Sequence, residues 1–401
     1  MNLRRHFRSL VAAVAGVALG TGFVVTAETI SEESLPPPSR VAPSHSVSAP
    51  APARREPVRT VLLAWTPGGL PRSAERRIEG MAGVRDATTI VAGLEWIRTS
   101  HSSDGTKVDA PGDGLAIPFE VAVIEPREYA RFVPPAEGTL ISSLGDRQML
   151  IAETEEQLRG AGVGLRVTTD IGRRSVAGVV ADRTANGYEA LVAGPPDPDW
   201  QGSDRFVLAH LSAAARPRAI ERKIRSLLDT GQRLRVRLQG ESPYLRYGDA
   251  VLPQLIIKRV FGEFAAKPAA GGSLQIEERW LRRNIRAGPV PIIGDVTCHR
   301  RLFGQLRGAL TELRAAGLGY LVDPSDYGGC YSARFVGSSA GSRLSHHSWG
   351  IAVDVNVAEN AFGTKADQDP RVVRVFEDHG FTWGGRWLIP DGMHFEWARF
   401  P

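Results

Sequence analysis

From Thr60 onward the chain alternates short apolar runs with turn residues. TVLLAWT (60–66) has the composition of a strand, and PRSAERRIEGMAG follows with Pro71 near a helix start and Gly83 near its end. Further strands are expected at TTIVAGLEWI, IPFEVAVIE, LRVTT, SVAGVVA and YEALVAG, with a helix around MLIAETEEQLRGAG. Ile220, Ile224, Leu227 and Leu228 then form one helical stripe. After them Leu234, Val236 and Leu238 alternate with Arg233, Arg235 and Arg237, the pattern of a half-buried strand whose arginine face is solvated. Pro268 to Gly272 is a loop-like break. Beyond it come VPIIG and a helix with Phe303, Leu306, Leu310 and Leu313 on one face, stopped by Gly317.

Two short alternations lie near the C-terminus. In IAVDVNV, Val353, Val355 and Val357 can enter a core while Ala352, Asp354 and Asn356 share the opposite face. In GMHFEWARF the same parity sets Met393, Phe395 and Trp397 on the apolar side and His394 with Glu396 on the other. Between them DPRVVRVFEDHGF predicts a helix, with Asp369 as N-cap, Pro370 at the first helical position, Val372, Val373 and Phe376 on one face and Gly380 as stop. His379, at the end of that helix, is placed to meet the helix dipole.

Length and composition divide the chain. At 401 residues, 42% apolar and 23% charged, it has the make-up of ordinary globular protein and the size of two domains. The first 27 residues pair a basic start (Arg4, Arg5, Arg8) with an apolar run from Leu10 to Val25 and small residues at Val25 and Ala27, so they predict an export signal, either cleaved or kept as an N-terminal membrane anchor. Residues 28–58, rich in Pro, Ala and Ser, form a linker. Residues 59–261 are expected to be a mixed α/β domain, and 262–401 a second domain. The net charge of +5 includes the three leader arginines, so the remainder carries only +2. No basic run interleaved with aromatics suggests nucleic acid as a partner. Cys298 and Cys330 are the two cysteines, and an even count in an exported chain predicts a disulfide, worth about 3 to 4 kcal/mol for a loop of this length.

The chemistry collects in the last third, which holds both cysteines and five of the nine histidines. Neutral imidazole and carboxylate are the ligands of a catalytic zinc, where three protein groups bind and a fourth position is open. The spacing Ser345-x-His347-x-x-Gly350-x-Ala352-x-Asp354, then Gly380-Phe381-x-Trp383-Gly384-Gly385-x-Trp387, then Asp391-x-x-His394-Phe395-Glu396, resembles the bacterial zinc D-alanyl-D-alanine carboxypeptidases and L-alanyl-D-glutamate endopeptidases, the VanY-like group. The resemblance covers roughly Val290 to Trp397. The region before it resembles, at the level of spacing alone, the extracytoplasmic domains of some bacterial permeases.

The resemblance implies an α+β peptidase domain with a small antiparallel sheet and flanking helices. It implies one zinc ion held by His347, Asp354 and His394, Asp391 as general base, and Arg334 in GGCYSARFVG stabilising the oxyanion. Glu396 and Ser345 would support the ligands. Peptidoglycan stem peptides would be the substrate, cut at L-Ala–D-Glu-type or D-Ala–D-Ala bonds; an aspartate at 391, where the carboxypeptidases usually carry glutamate, tilts the expectation toward the endopeptidases. The alternative is a catalytically silent zinc-containing wall-binding or sensing module, as in the hedgehog signalling domain of the same fold. Oligomeric state is not legible.

One puzzle remains in SHHSWGIAVDVN. An unbroken strand through Asp354 would put His346 on the metal face by even spacing. Gly350 permits a bend that resets side-chain direction, and the family pattern selects His347, leaving His346 on the cleft wall or surface.

Overall fold

The computed structural model describes residues 60–194, 200, 203–250, 252–338 and 341–400. The expected export signal (1–27) and linker (28–58) lie outside the described residues. Among the described residues no helix is long and apolar enough to cross a membrane.

Ten strands make the first sheet: β1 (Thr60–Trp65), β2 (Val84–His101), β3 (Lys107–Asp109), β4 (Ile117–Ile124), β5 (Gln148–Ala152), β6 (Arg166–Thr169), β7 (Arg173–Val180), β8 (Ala190–Ala193), β9 (Asp204–Leu211) and β10 (Arg235–Leu238). The order is β10-β1-β9-β2-β4-β8-β5-β7-β6, with β3 beside β2. The 18-residue β2 pairs with β9 through its first half and with β4 over Val91–Ile97, and its end pairs with β6. That last pairing closes β2, β4, β8, β5, β7 and β6 into a barrel, which leaves those six strands no open edge. Alternation then sorts side chains: Phe119, Val121, Met149, Ile151 and Val167 share one core, while Ala122, Leu150 and Leu191 belong to a second with Tyr129 and Leu255.

This explains one departure from expectation. Residues 149–152 were assigned by pattern to a helix, yet MLIA is part of β5, and the helix begins only at Glu153. Both faces of that strand are buried, so its apolar run carries no period to tell strand from helix.

The helix Gln254–Phe261 packs against the barrel and leads into a hairpin of β11 (Ala266–Pro268) and β12 (Leu274–Ile276), which is where the loop-like break was expected. A second hairpin follows, β13 (Ile285–Val290) with β14 (Gly294–His299), and then the helix Phe303–Ala315, whose Leu306, Leu310 and Leu313 are fully buried. The final sheet is antiparallel, in the order β15 (Tyr327–Gly329), β16 (Ala352–Val355), β18 (His394–Trp397), β17 (Phe381–Trp383). The helix Pro370–Asp378 buries Val372, Val373 and Phe376, and Asp369 caps it by accepting the N–H of Arg371 at 2.8 Å. A disulfide joins Cys298 and Cys330, tying β14 to the end of β15.

The proposed boundary at 261/262 is not a break in packing. Leu94, Trp96 and Ala116 share one core with Phe261, Leu306, Phe335 and Val353, and Ala116 exchanges backbone hydrogen bonds with Ala266 at 2.8 and 2.9 Å. Lys258, wholly buried, sits between Glu189 and Glu263, 2.9 Å from the latter. Residues either side of 262 therefore belong to one compact unit.

His299 is a hinge pin of this packing. Its Nε2–H donates to the Phe261 carbonyl at 3.2 Å, and its Nδ1 accepts the Arg301 N–H at 3.2 Å, so the fold holds one neutral tautomer. Burial, with the neighbouring Arg301 and Arg300, pushes its pKa down to about 4. In the unfolded chain the group returns to about 6.5 and takes up a proton first as pH falls. Its contribution is thus full above about pH 6.5 and lost toward pH 4. Denaturant unfolding at pH 7.5 and 5.0 should show a loss of about 2 kcal/mol that His299→Gln removes. An equal loss in both proteins would refute this account.

Candidate metal centre and active site

Register places two of the donors. In the β16–β18 pair Asp354 stands opposite His394, Val353 opposite Phe395 and Ala352 opposite Glu396, so carboxylate and imidazole are cross-strand neighbours on one face. His347 arrives differently, from a one-turn 3₁₀ helix, His346–Trp349. Ser345 precedes it, and its hydroxyl accepts the His347 N–H at 3.3 Å. Gly350 ends it in the left-handed region (φ 66°), pressed so close to β14 that a Cβ there would lie 2.6 Å from the His299 nitrogen. The two-residue period therefore does not extend back to residue 346.

The hydrogen bonds fix which ring nitrogen of His347 is free. His347 Nδ1 lies 2.7 Å from the Cys330 carbonyl, which can only accept, so Nδ1 carries the proton and Nε2 presents a lone pair. On His394, Nδ1 faces Asp354 at 3.0 Å and Nε2 faces Glu396 at 3.6 Å, so carboxylates flank both ring nitrogens and Nδ1 is the one turned toward His347. His347 Nε2 and His394 Nδ1 are 3.2 Å apart, and both face the Asp354 carboxylate: His394 Nδ1 at 3.0 Å and His347 Nε2 at 3.1 Å. Two imidazole nitrogens and a carboxylate are directed at one point, all within 4.8 Å of one another and all buried, and they need positive charge among them, as shared protons or as a metal cation. The donor set fits a divalent metal of the zinc type, and His347, Asp354 and His394 would hold it.

The surrounding charges agree. Burial alone would raise the Asp354 carboxyl, yet His347 and His394 hold it far below the usual range. Glu396, also opposed by burial, is held low by His346, 2.7 Å away, and by His394. Burial pulls His394 down, but Asp354 and Glu396 outweigh it and lift the imidazole to about 10. The pocket is built for positive charge, and Glu396 links both histidines outside the donor triangle.

A cleft of about 490 Å³ opens beside the donors, lined among others by Arg334, His346, Trp387 and Asp391. Asp391 is raised by burial, partly countered by His394 and Arg334. Its Oδ1 is buried with no hydrogen-bond partner among the described residues. The turn that carries it depends on Gly384, where a Cβ would meet the Asp391 carbonyl oxygen at 2.7 Å and the His394 Cβ at 3.3 Å. Asp391 donates its N–H to Gly384 at 3.0 Å, and Trp383 Nε1 donates to Gly392 at 2.8 Å. Arg334 is anchored through its backbone: its N–H donates to the Ser348 hydroxyl and its carbonyl accepts from that hydroxyl, each at 3.0 Å.

Other sequence candidates fall elsewhere. His379 caps its helix and pairs with Glu312 at 2.9 Å, away from the cleft. Asn356 does not share the face of Asp354: β16 ends at Val355, Asn356 turns to φ 53°, and its amide serves Asp323, Leu321 and Gln368. Met393 lines the cleft and is not on the core side, because β18 begins only at His394. The arginine stripe is only partly solvated: Arg233, just before β10, is exposed, while Arg235 and Arg237 are half-buried. Arg233 donates to the Leu388 carbonyl at 2.7 Å, and Arg235 and Arg237 pair with Asp249 at 2.9 and 3.0 Å. The Cys330 carbonyl was missed from sequence, since any residue supplies a carbonyl. The acidic group Glu155, Glu189 and Glu263 is neutralised by Arg159 and Lys258.

Comparison with known proteins bears on this segment alone. Residues 339–397 match the family described as D-alanyl-D-alanine carboxypeptidase. The match spans all three donors, Asp391 and Glu396, and supports a peptidase of that family in the C-terminal region. No curated protein matches the chain. Among solved structures, the periplasmic region of MacB from Actinobacillus actinomycetemcomitans aligns over 44% of this chain and 87% of its own, at 8% identity and TM-score 0.30. The extracellular domain of the noncanonic ABC-type transporter YknZ from Gram-positive bacteria aligns over 45% and 100%, at 11% identity and TM-score 0.26. Similarity at this level carries no argument about fold or function.

The geometry separates the adjacent histidines. Elemental analysis of the purified protein should find the bound metal lost in His347→Ala and largely kept in His346→Ala. Loss confined to the His346 variant would overturn the donor assignment.

Proposed function

We propose that this chain is an exported zinc metallopeptidase that hydrolyses peptide bonds in peptidoglycan stem peptides. The observation that carries this reading is the convergence of two imidazole nitrogens and the Asp354 carboxylate beside a cleft that also holds Asp391 and Arg334. The family match at 339–397 supports it, and the disulfide and the leader pattern support an extracytoplasmic location, secreted or membrane-anchored.

A bound zinc ion would supply Lewis acidity, making water acidic enough to serve as nucleophile near neutral pH. The protein's own groups do the rest. Asp391, its Oδ1 buried without a partner, accepts the proton of the attacking water and returns it to the leaving amine. Arg334 donates to the carbonyl oxygen as negative charge develops there. Cys330 keeps His347 in the tautomer whose lone pair faces inward, Glu396 faces the outer nitrogen of His394, and Ser345 holds the turn that aims His347.

The test is digestion of purified peptidoglycan with the products identified by mass. Asp391→Asn should lower the rate by about 100-fold or more while metal content is retained. Free D-alanine alone among the products identifies the carboxypeptidase reaction; muropeptides cut after L-Ala identify the endopeptidase reaction, toward which Asp391 tilts this reading. No product from metal-loaded protein would instead favour a silent binding or sensing module.

A further inference from the structure

Residue 388 sits midway along the loop between Trp383 and Asp391, in a stretch with no strand partner, yet both of its backbone groups are satisfied. Its N–H donates to Asp249 Oδ2 at 2.6 Å, and its carbonyl accepts from Arg233 at 2.7 Å. Both partners come from the N-terminal part, 139 and 155 positions earlier. Asp249 is itself fixed, since its Oδ1 receives Arg235 at 2.9 Å and Arg237 at 3.0 Å, and its side chain is 9% exposed. Arg237 in turn donates to the carbonyl of Arg246 at 3.0 Å.

The same region lines the cleft. Trp65, Pro67, Asp249 and Ala250 line it together with Arg334 and Asp391. From the other direction Arg343, just before the donor segment, lies over the Tyr247 ring at 5.0 Å. Gly248 has no Cβ, and one there would meet the Arg343 guanidinium at 2.7 Å. The two chain segments that flank the donors, 341–344 and 384–391, thus both rest on residues 244–250 and β10.

We propose that Asp249, with Arg233, is a positioning residue for Asp391, and that the N-terminal part is a wall of the active cleft. This rests on the peptidase reading above for its catalytic consequence, though not for its structural one. Removing Asp249 takes away the partner of the Leu388 N–H and the carboxylate that Arg235 and Arg237 share, although Arg237 keeps the Arg246 carbonyl. The loop would then sample positions in which Asp391 is displaced from the donors, while β16 and β18, which carry Asp354 and His394, keep their pairing. A misplacement of about 1 Å costs on the order of 100-fold in rate.

The experiment uses the full chain, its Asp249→Ala and Arg233→Met variants and Asp391→Asn as control, with three readouts. These are hydrogen–deuterium exchange over 384–393 and over 351–357, metal content, and kcat and KM on purified muropeptides. Asp249→Ala and Arg233→Met should each speed exchange of the Leu388 amide at least tenfold, leave exchange at 351–357 and metal content unchanged, and lower kcat at least tenfold with less change in KM. Asp391→Asn should lower turnover by about 100-fold or more with exchange unaltered. Should Asp249→Ala unfold, Arg233→Met, which removes the hydrogen bond to the Leu388 carbonyl, decides alone. Unchanged exchange at Leu388 in a folded variant overturns the clamp, and faster exchange with unchanged kcat overturns the positioning of Asp391. If the unmodified chain turns over no muropeptide, the peptidase reading fails, and the exchange data still decide whether the clamp exists.

Discussion

Because a backbone carbonyl can only accept, the contact from Cys330 to His347 leaves that imidazole a single neutral tautomer, with its lone pair toward Asp354 and His394. The rest of the site follows from that constraint. The disulfide from Cys298 holds residue 330 against β14, and Gly350 presses the 3₁₀ turn onto the same strand. Carbonyl and imidazole are thus positioned from two sides of one hairpin. Were the tautomer reversed, Nε2 would carry a proton into the donor triangle and the three groups would no longer act as a set.

What could be read in the sequence follows from how local each cause is. The alternation through Val353 to Val355 and through Phe395 to Trp397 is visible because each strand has one apolar face and one face carrying polar side chains, both buried. The capping of the helix Pro370–Asp378 is visible because Asp369 acts on a residue two positions away. Periodicity fails where the backbone leaves the regular path: at His346–Trp349, which is a helical turn, and at Asn356, which enters the left-handed region. It also fails for β5, buried on both faces. Least visible are long-range partners. An arginine stripe looks the same from the sequence whether it faces water or the carbonyl of a residue 155 positions away.

That last case bears on how the chain is divided. A composition break near 262 suggests two independent domains, but Lys258 is buried among carboxylates from both sides of it, and Phe261 shares a core with Trp349's neighbours and with Trp96. Burying such a charge is tolerable only when its partners are in place, and losing one partner typically costs about 3 to 5 kcal/mol. The network therefore specifies how the barrel and the final sheet meet more than it adds to net stability.

The separation in sequence between the clamp's two halves has a temporal meaning. Residues 233–249 are synthesised well before residue 388, and β18, with His394, follows that residue. Contacts that span so many residues form late, after the loops between them have closed. The barrel and its arginine edge can fold first and wait as a template. The cleft, with Asp391, the three donor residues and its N-terminal wall, is completed only when β18 docks onto β16.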